Sequence, residues 1–566
     1  MLKDARPNGP ARAWLIAAVV FVLATAVAFY HLPVASAALF EYVGRSLVEG
    51  KTLYRDVWDD KLPSIYYLNA LWQLLFGARY VLHWVAEVAV LLATLALFAA
   101  FARRAQVAHW APATFALAVL LSLPPLRHFN YTEPYAMLFI MAALVAAQAD
   151  APIASGLLLT LAATFWLPAV FQAFAVAALC TESSARRRFL AAFIVSAAGC
   201  AVLVTRMFGT TAIAAGVREV YGWQAIRWSR GLLGAEARKL WDVLNATALL
   251  IPAVLALAVL HRPTNDRERF AVTWLVCALA GAAISLAFSQ HEFLPAVAPL
   301  VFLIAAFSEG WQAPPVRRVV TAVLVFVLSM RVPAMFATFR NAAAQEMGEA
   351  RESAAVGRQL DAALPRRSRI LVYGYAGGIY LSARRDAAGR FPNHADTVAT
   401  GPRERAEQAQ YLAGARSADA IVASRHAVFF PSLNALVHQD FVPACRLRSA
   451  AFRVYLRRTL PAAAPCLAAR RDALFDVPAL TNGGSDAGFR SDASFSDEAS
   501  PHGVSSSYRD DRCTDHRRDG RTRGCSGSRD DSRPGLLVSH AGSRRERARA
   551  APRHRRRDDD DVSGAR

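Results

Sequence analysis

The sequence predicts an α-helical polytopic membrane protein of about eleven transmembrane helices, with a small extracytoplasmic α/β domain and a disordered C-terminal tail. Of the 566 residues 55% are hydrophobic, and the mean hydropathy of +0.25 is higher than in ordinary soluble proteins. Most apolar residues lie before residue 340, in runs that approach the roughly 17–25 residues a helix needs to cross the hydrocarbon core. After residue 340 the pattern changes to short strands and helices, and then to charged and small residues.

Eleven apolar runs are candidate transmembrane helices, so residues 1–340 are predicted to form a transmembrane domain. The runs lie at 13–33, 80–102, 111–126, 134–149, 152–166, 168–181, 188–208, 242–261, 270–288, 293–308 and 318–338. Several are short, and the pair within 152–181 could be one helix broken at Trp166-Leu167-Pro168. No convincing small-residue cleavage site follows the first run, so we interpret it as a retained signal-anchor helix.

Basic residues mark the turns that are expected to face the cytoplasm. With eleven spans, the clusters before the first span and after the second, sixth, eighth and tenth all fall on one face, which the positive-inside rule makes cytoplasmic. The clusters contain Lys3, Arg6, Arg12, Arg103, Arg104, Arg186, Arg187, Arg188, Arg262, Arg267, Arg269, Arg317 and Arg318. We therefore predict a multi-pass protein of the inner (cell) membrane with a cytoplasmic N-terminus. Much of the net charge of +20 lies in these turns and in the last hundred residues, so nucleic acid is not a predicted partner.

The opposite face receives two loops that carry acidic and aromatic residues. The first outer loop spans residues 34–79, and the second outer loop spans residues 127–133. Residues 64–76 are apolar but too short to cross the bilayer, so we expect an interfacial helix there. The mixture of acids, a lysine and aromatic residues suits a site for a charged lipid head group, and it equally suits a solvated loop with an aromatic belt.

Residues 341–466 are predicted to form the α/β domain on the outer face. The pattern indicates an amphipathic helix at 344–364 and strands at 369–375, 418–424 and 452–458. The glycines after the first strand lack the GxGxxG spacing, which excludes a dinucleotide-binding fingerprint. Cys445 and Cys466 fall in this domain, where an oxidising compartment would allow a disulfide.

Residues 467–566 are predicted to form the disordered tail. They are rich in Arg, Asp, Ser and Gly and contain few apolar residues. Such a segment cannot bury enough apolar area to offset the entropy lost on ordering.

Residues 54–71, YRDVWDDKLPSIYYLNAL, closely resemble a family motif. They are similar to the pattern YRDxWDxKPPxxYxLNAL in the first outer loop of bacterial GT-C glycosyltransferases, which use polyprenyl-phosphate sugars. Protein O-mannosyltransferases and the lipid A aminoarabinose transferase are members of this superfamily. The matching residues are Asp56, Trp58, Asp59, Lys61, Pro63, Tyr66, Asn69 and Leu71, and Leu62 replaces the first proline.

Three further segments support the resemblance, which covers residues 14–460 and implies a GT-C-like fold. HFNYTEPYAMLF (128–139) resembles the second outer loop of the family with its acidic residue. QHEFLPAVAPL (290–300) resembles the family's HYxLxLLPxL span. RILVYGYAGGIYLSARRDAAGRF (369–391) resembles the extracytoplasmic domain of bacterial members.

The resemblance implies a site that transfers a sugar with inversion. A carboxylate takes the proton of the acceptor hydroxyl, and the lipid phosphate leaves from the opposite face of the anomeric carbon. A nearby cation stabilises the departing phosphate. The predicted catalytic residues are Glu41, Asp59, Asp60 and Glu133, and the predicted substrate-binding residues are Tyr54, Asp56, Lys61, Tyr66 and His291.

Three of these residues have a second interpretation. Lys61 matches the family lysine that contacts the phosphate, but a lysine that snorkels to the interface has the same signature. Glu133 matches the acid that helps to hold the acceptor or the donor, but an acid at a helix N-terminus is also favoured by the helix dipole. His291 matches a family histidine that could contact phosphate, or it is a satisfied interfacial histidine.

The chain departs from the family at the leading catalytic aspartate. Ser36 stands in its place, and a serine hydroxyl is not a base near neutral pH. Glu41 is our first candidate for a replacement, followed by Asp56, Asp59 and Asp60; the remaining alternative is that activity has been lost. No cofactor is predicted with certainty, although these carboxylates could also hold a divalent metal.

Glu87 is an acid about seven residues inside the second predicted span. A charge at this depth is costly, so the side chain is expected to face the helix bundle. His83 lies four residues earlier on the same helix face, so we expect a buried His83–Glu87 pair.

The predicted function is an inverting glycosyltransferase that moves a sugar from a polyprenyl-phosphate donor to an envelope lipid, polysaccharide or protein on the outer face. The alternative is a GT-C relative without catalytic activity that binds polyprenyl sugars or assists envelope assembly, and Ser36 favours it. A secondary transporter is disfavoured because the charged residues gather in outer loops and not at the midplane of the membrane.

Overall fold

The computed structural model of the chain describes two groups of segments, one mostly helical and one that contains a sheet. The described ranges are 9–26, 31–122, 130–210, 265–284, 290–310, 343–392 and 402–465, apart from a few single positions and with a few isolated residues between them. They all belong to the first of the two units into which the chain divides, residues 1–502. The predicted spans at 242–261 and 318–338 and the predicted tail at 467–566 lie outside these ranges.

Eleven helices precede residue 311 in the described part of the chain. They are α1 (Gly9–Ala26), α2 (Ala35–Val48), α3 (Pro63–Phe76), α4 (Tyr80–Arg104), α5 (Trp110–Leu121), α6 (Thr132–Gln148), α7 (Pro152–Phe165), α8 (Gln172–Leu179), α9 (Ser183–Phe208), α10 (Asp266–Ile284) and α11 (Leu294–Gly310). Each of the nine predicted spans within the described ranges coincides with one of these helices. The protein is therefore a mostly helical membrane protein.

Length and hydropathy identify three described helices that could cross a membrane by themselves: Tyr80–Arg104, Ser183–Phe208 and His291–Ser308. Five others are apolar but shorter. The total of eleven spans stays a prediction.

The break predicted within 152–181 is present. Trp166 ends α7 with extended backbone angles, φ −139° and ψ 100°, and a short 3-10 helix, Leu167–Phe171, leads into α8. Pro168 lies in the first turn of this 3-10 helix, where its fixed φ is tolerated and its missing N–H is not needed. The two apolar runs are thus separate helices joined by a tight turn.

Four helices and five strands follow residue 342 in the described ranges. They are α12 (343–363), β1 (Arg369–Tyr373), α13 (Gly378–Ala383), β2 (Asp386–Ala387), α14 (Pro402–Ser417), β3 (Ala420–Ser424), α15 (Pro431–Asp440), β4 (Phe441–Pro443) and β5 (Phe452–Arg457). The strand order is β2-β1-β3-β5-β4. β1 pairs in parallel with both β2 and β3, whereas β5 pairs antiparallel with β3 and β4. The boundaries at 340/341 and 466/467 stay predictions.

Cys445 is disulfide-bonded. The other described cysteines, Cys180, Cys200 and Cys277, are free, so the partner of Cys445 lies outside the described residues. The outer placement of this domain, where an oxidising compartment would allow a disulfide, stays a prediction.

Helix α2 packs directly against the sheet-containing part of the chain. Tyr42 stacks on Tyr380, with ring centroids 4.6 Å apart, and its hydroxyl accepts a hydrogen bond from Ala387 N at 2.8 Å. Arg45 donates to the carbonyl oxygens of Tyr380 and Arg385 at 3.1 and 3.0 Å. These contacts bring the first outer loop and the sheet together, as their predicted placement on one face requires.

Helix α3 packs on α2 with one side and leaves an apolar side open. A Cβ at Gly44 of α2 would lie 2.7 Å from the Asn69 backbone, so the two helices touch through backbone atoms. On the other side of α3, Leu71, Leu74 and Leu75 are 45%, 69% and 59% exposed. This amphipathic arrangement agrees with the interfacial helix expected at 64–76.

Gly377 provides a test of the contact between α2 and the sheet-containing part. Its φ of −53° suits any residue, but a Cβ there would lie 2.7 Å from Leu39 N of α2. We expect Gly377→Ala to destabilise the fold by about 1–3 kcal/mol, because backbone atoms cannot move aside as side chains do. The measurement is the midpoint of thermal unfolding in detergent.

The control for this prediction is Gly348→Ala. Gly348 lies inside α12, and a Cβ there would meet nothing within 4 Å. Removing a helical glycine should stabilise the protein by roughly 0.5–1 kcal/mol. Equal midpoints for the two variants would contradict the close packing of Gly377 on α2.

Candidate functional site

Aromatic contacts bring the two outer loops and His291 together around α2. The Phe40 ring lies 5.8 Å from the ring of Tyr66, in the first outer loop, and 6.1 Å from the ring of Tyr131, in the second. The Tyr131 ring in turn lies 4.6 Å from the imidazole of His291. Three segments that are far apart in the sequence therefore meet at one place.

The hydroxyl of Tyr66 organises the motif of the first outer loop. It donates to Asp59 Oδ2 at 2.7 Å and accepts from Lys61 N at 3.0 Å. Tyr54 adds a third bond, from its hydroxyl to the carbonyl oxygen of Lys61 at 2.6 Å. Burial and the nearby Asp59 raise the pKa of Tyr66 well above its usual value, so the hydroxyl keeps its proton and acts as a donor.

Lys61 and Asp60 present their charged groups at the surface of this loop. Lys61 Nζ lies 3.4 Å from Asp60 Oδ2, and the two side chains are 39% and 32% exposed. Asp59, by contrast, is only 3% exposed. The backbone of Lys61 is thus fixed by two tyrosines, while its ammonium group stays within reach of a ligand.

Asp56 lies at the rim of the loop and stabilises a turn. Its Oδ2 accepts a hydrogen bond from Thr52 N at 2.8 Å and lies 2.9 Å from Arg55 Nη2. The Arg55 guanidinium, helped by the Thr52 N–H, lowers the pKa of Asp56 to about 2. The predicted substrate-binding role of Asp56 stays untested, and the turn accounts for its conformation.

The second outer loop contacts Ser36, which stands in place of the family aspartate, through Tyr131. Tyr131 donates a hydrogen bond to Ser36 Oγ at 3.0 Å. Glu133 follows in the first turn of α6 and is 3% exposed. His291 is also buried, in the short helix before α11. Ser36, Tyr131 and His291 are therefore neighbours, with Glu133 on the same short segment as Tyr131.

Glu41 lies on a different face of α2 from Ser36. Residues four apart share a face of a helix, so Ser36 and Phe40 both point to Tyr131. Glu41 follows Ser36 by five residues, which correspond to a rotation of about 140° past a full turn. This rotation directs Glu41 away from that face. The role of Glu41 as the replacement base stays a prediction. Its side chain does not point toward Ser36.

The carboxylate of Glu41 is fully buried and held by three side chains. Gln73 Nε2 donates to Oε2 at 2.8 Å, His83 Nδ1 lies 2.5 Å from Oε1, and Asn130 Nδ2 lies 3.5 Å from Oε1. These partners come from α3, α4 and the second outer loop. A buried carboxylate with such partners is a structural junction between three segments.

The predicted His83–Glu87 pair is wrong. His83 Nε2 lies 3.1 Å from the carbonyl oxygen of Gly77, which can only accept, so Nε2 carries a proton, and Nδ1 faces Glu41 Oε1. Both ring nitrogens are thus engaged, and Glu87 Oε2 instead accepts from Asn130 N at 2.6 Å. Helical spacing places His83 and Glu87 on one face, but tertiary partners take the imidazole.

Sequence reasoning gave the amides of this network no role, although Asn69 matches the family motif. Asn69 and Gln73 lie four residues apart on α3 and interrupt an apolar run, which was the available signal. Asn130 lies in the second outer loop and carried no signal of its own, because its partners are distant in the sequence.

The described residues contain no group of three or more His, Cys, Asp or Glu side chains arranged to hold a metal ion. The possible divalent metal therefore has no ready-made site among them.

Tyr66→Phe tests the organisation of the first outer loop. The change removes the donor to buried Asp59 and the acceptor for Lys61 N, so we expect a loss of about 1–3 kcal/mol in stability. The matched control is Tyr67→Phe, because Tyr67 is the next residue and is 41% exposed. That variant should stay within about 0.5 kcal/mol of wild type. Equal unfolding midpoints in detergent would show that the Tyr66 hydroxyl does not organise the loop.

The fold is shared with a solved membrane protein, although no family model and no curated protein sequence matches the chain. The chain is similar to the crystal structure of ArnT from Cupriavidus metallidurans bound to undecaprenyl phosphate, with 12% identity, a TM-score of 0.55 and coverage of 79% of this chain and 98% of that one. The oligosaccharyltransferase from Archaeoglobus fulgidus, in complex with Zn and sulfate, is similar at 11% identity and a TM-score of 0.40, over 73% of this chain and 68% of that one, and no argument rests on it. The likeness to ArnT is one of fold, and it shows that this chain shares the fold of that protein, in agreement with the fold that the sequence resemblance implies.

Proposed function

We propose that the protein is an inverting glycosyltransferase that moves a sugar from a polyprenyl phosphate to an envelope lipid, polysaccharide or protein. In this proposal the reaction takes place on the outer face of the inner membrane, and the N-terminus is cytoplasmic. The GT-C fold supports the transferase class. ArnT, which shares this fold, was crystallised with undecaprenyl phosphate bound, which supports a polyprenyl phosphate as the lipid carrier here.

The observation that carries the proposal is the meeting of the two outer loops through Phe40. It joins the segment that contains Lys61 to the segment that contains Glu133, with His291 alongside. A transferase needs a cation for the departing phosphate and a carboxylate for the acceptor hydroxyl in one place. The two loops supply one of each.

The roles of the individual residues follow from the inversion at the anomeric carbon. The base and the leaving phosphate must lie on opposite faces of the anomeric carbon, so the base should come from a different segment than the phosphate-binding cation. Asp59 and Asp60 directly precede Lys61 in the sequence and would share its side. We therefore assign the phosphate to Lys61 and the proton transfer to Glu133, with Tyr54, Tyr66 and Asp59 fixing the loop and His291 contacting the donor.

Sugar transfer by charge-removing variants tests this assignment. We expect Lys61→Ala and Glu133→Gln each to lower the rate of transfer by roughly 100-fold or more, because each removes a group that acts in the transition state. The measurement is transfer of radiolabelled sugar from polyprenyl-phosphate donors in membranes that contain each variant at equal abundance.

Two matched controls accompany the assay. Arg55→Ala removes a cation from the same loop, where the Arg55 side chain is 71% exposed. Glu182→Gln neutralises an exposed acid at the N-terminus of α9. Both should retain wild-type rates, and a loss in either control equal to the loss in the site variants would refute the assignment.

A second candidate function is a polyprenyl-sugar binder without catalytic activity. Ser36 favours it, because the hydroxyl that replaces the family aspartate is held by Tyr131 and cannot take a proton. Glu41 supports it as well, since its carboxylate is bound on another face of α2.

Ser36→Asp discriminates between the two functions. If the protein transfers sugar through Glu133, the wild type is active and Ser36→Asp changes the rate by less than about 10-fold. The control is Ser36→Asn, which has the same size without a carboxylate. The binder predicts the reverse: wild type and Ser36→Asn bind undecaprenyl phosphate without transfer, and transfer appears only with Ser36→Asp.

A further inference from the structure

Asn130 is the most fully engaged polar residue in the described part of the outer loops. It is 1% exposed, and its φ of 60° lies in the left-handed region, which asparagine tolerates better than most residues. It immediately precedes Tyr131 in the second outer loop. Its backbone conformation therefore decides the direction in which the chain enters α6.

The backbone N–H, the side-chain Nδ2 and the side-chain Oδ1 of Asn130 each have a hydrogen-bond partner. Its backbone N donates to Glu87 Oε2 at 2.6 Å, and its Nδ2 donates to Asn69 Oδ1 at 2.7 Å. Nδ2 also lies 3.5 Å from Glu41 Oε1, and Oδ1 accepts from the Tyr135 hydroxyl at 3.1 Å. Two oxygen atoms face Nδ2 and a hydroxyl faces Oδ1, so the orientation of the amide is fixed.

These partners lie on four different helices. Glu41 belongs to α2, Asn69 to α3, Glu87 to α4 and Tyr135 to α6. Asn130 thus ties the start of α6 to the three helices that precede it in this part of the site. Burying a polar side chain is costly unless its bonds are made, and a fully bonded network of this kind holds its members in one defined position.

We propose that Asn130 is a positioning residue, which sets Tyr131 and Glu133 against Ser36 and His291 for sugar transfer. This inference rests on the proposed function. Asn130 itself makes no hydrogen bond with any of the predicted substrate-binding residues. It acts through the residues that follow it, because a change in its φ rotates the peptide that carries Tyr131.

The expected effect is on the rate and not on donor binding. A displacement of about 1 Å in a reacting group can cost 100-fold in rate. The backbone of Lys61 is held by Tyr66 and Tyr54 and makes no hydrogen bond with Asn130, so the phosphate-binding side should be unchanged. We therefore expect kcat to fall roughly 10- to 100-fold in Asn130 variants while KM for the donor changes less than about 3-fold.

Two variants separate the backbone from the side chain. Asn130→Gly keeps the left-handed φ and removes all side-chain bonds. Asn130→Asp keeps the shape but turns an acceptor oxygen toward Asn69 Oδ1 and Glu41 Oε1. Both should lower kcat. The control is Asp150→Gly, because Asp150 is exposed, has a φ of 54° and lies just beyond the other end of α6; it should leave kcat unchanged.

Tyr135→Phe tests the positioning role of Asn130 if the Asn130 variants fail to fold. It removes only the hydroxyl that donates to Asn130 Oδ1, and the ring can keep its stacking on Phe165 at 5.6 Å. We expect a smaller loss of kcat, again without a change in KM. A wild-type kcat in Tyr135→Phe and in any folded Asn130 variant would overturn the inference.

A spectroscopic measurement tests the position without any transfer. With 3-fluorotyrosine in place of Tyr131 alone, the fluorine signal senses the rings of His291 and Phe40. The signal should shift in Asn130→Gly and Tyr135→Phe and stay in place in Asp150→Gly. An unchanged signal in both of the first two variants overturns the inference. A shifted signal with a wild-type enzyme that transfers no sugar refutes the proposed function and leaves Asn130 as the residue that positions Tyr131.

Discussion

The burial of the Glu41 carboxylate constrains the rest of the candidate functional site. A charge removed from water costs several kcal/mol unless it is paired and hydrogen-bonded. Its partners, Gln73, His83 and Asn130, come from α3, α4 and the second outer loop, so each of these segments has to meet α2 at one point. Helix α2 thereby becomes the axis around which the outer loops are arranged.

Three faces of α2 make different contacts. One face carries Glu41 and fixes the neighbouring helices. A second carries Ser36 and Phe40 and faces Tyr131. A third carries Tyr42 and packs on Tyr380 of the sheet-containing part. Because one rigid helix carries all three, a shift in any contact would be transmitted to the other two.

The sequence predicted the elements better than their contacts. The nine apolar runs within the described ranges and the strands at 369–375, 418–424 and 452–458 have clear periodicity, and each corresponds to an observed element. β2 and β4, at two and three residues, are too short to show alternation. The partner of His83 was mistaken because spacing along a helix reports only local neighbours, whereas Glu41 approaches from 42 residues away. The amide network around Asn130 depends on three such tertiary approaches, and no local pattern encodes them.

The placement of Glu133 bears on whether the fold is used for catalysis or for binding alone. If Lys61 binds the lipid phosphate as proposed, a protein that only binds this lipid gains nothing from an anion nearby, where like charges repel. Glu133 is nevertheless kept buried, at 3% exposure, in the first turn of α6, on the segment that touches Ser36 and His291. A buried acid in the first turn of a helix is favoured by the helix dipole, and it also suits the proposed removal of a proton from an acceptor hydroxyl. In the proposed function the proton transfer therefore belongs to Glu133, although Ser36 stands where the resembling family has its aspartate.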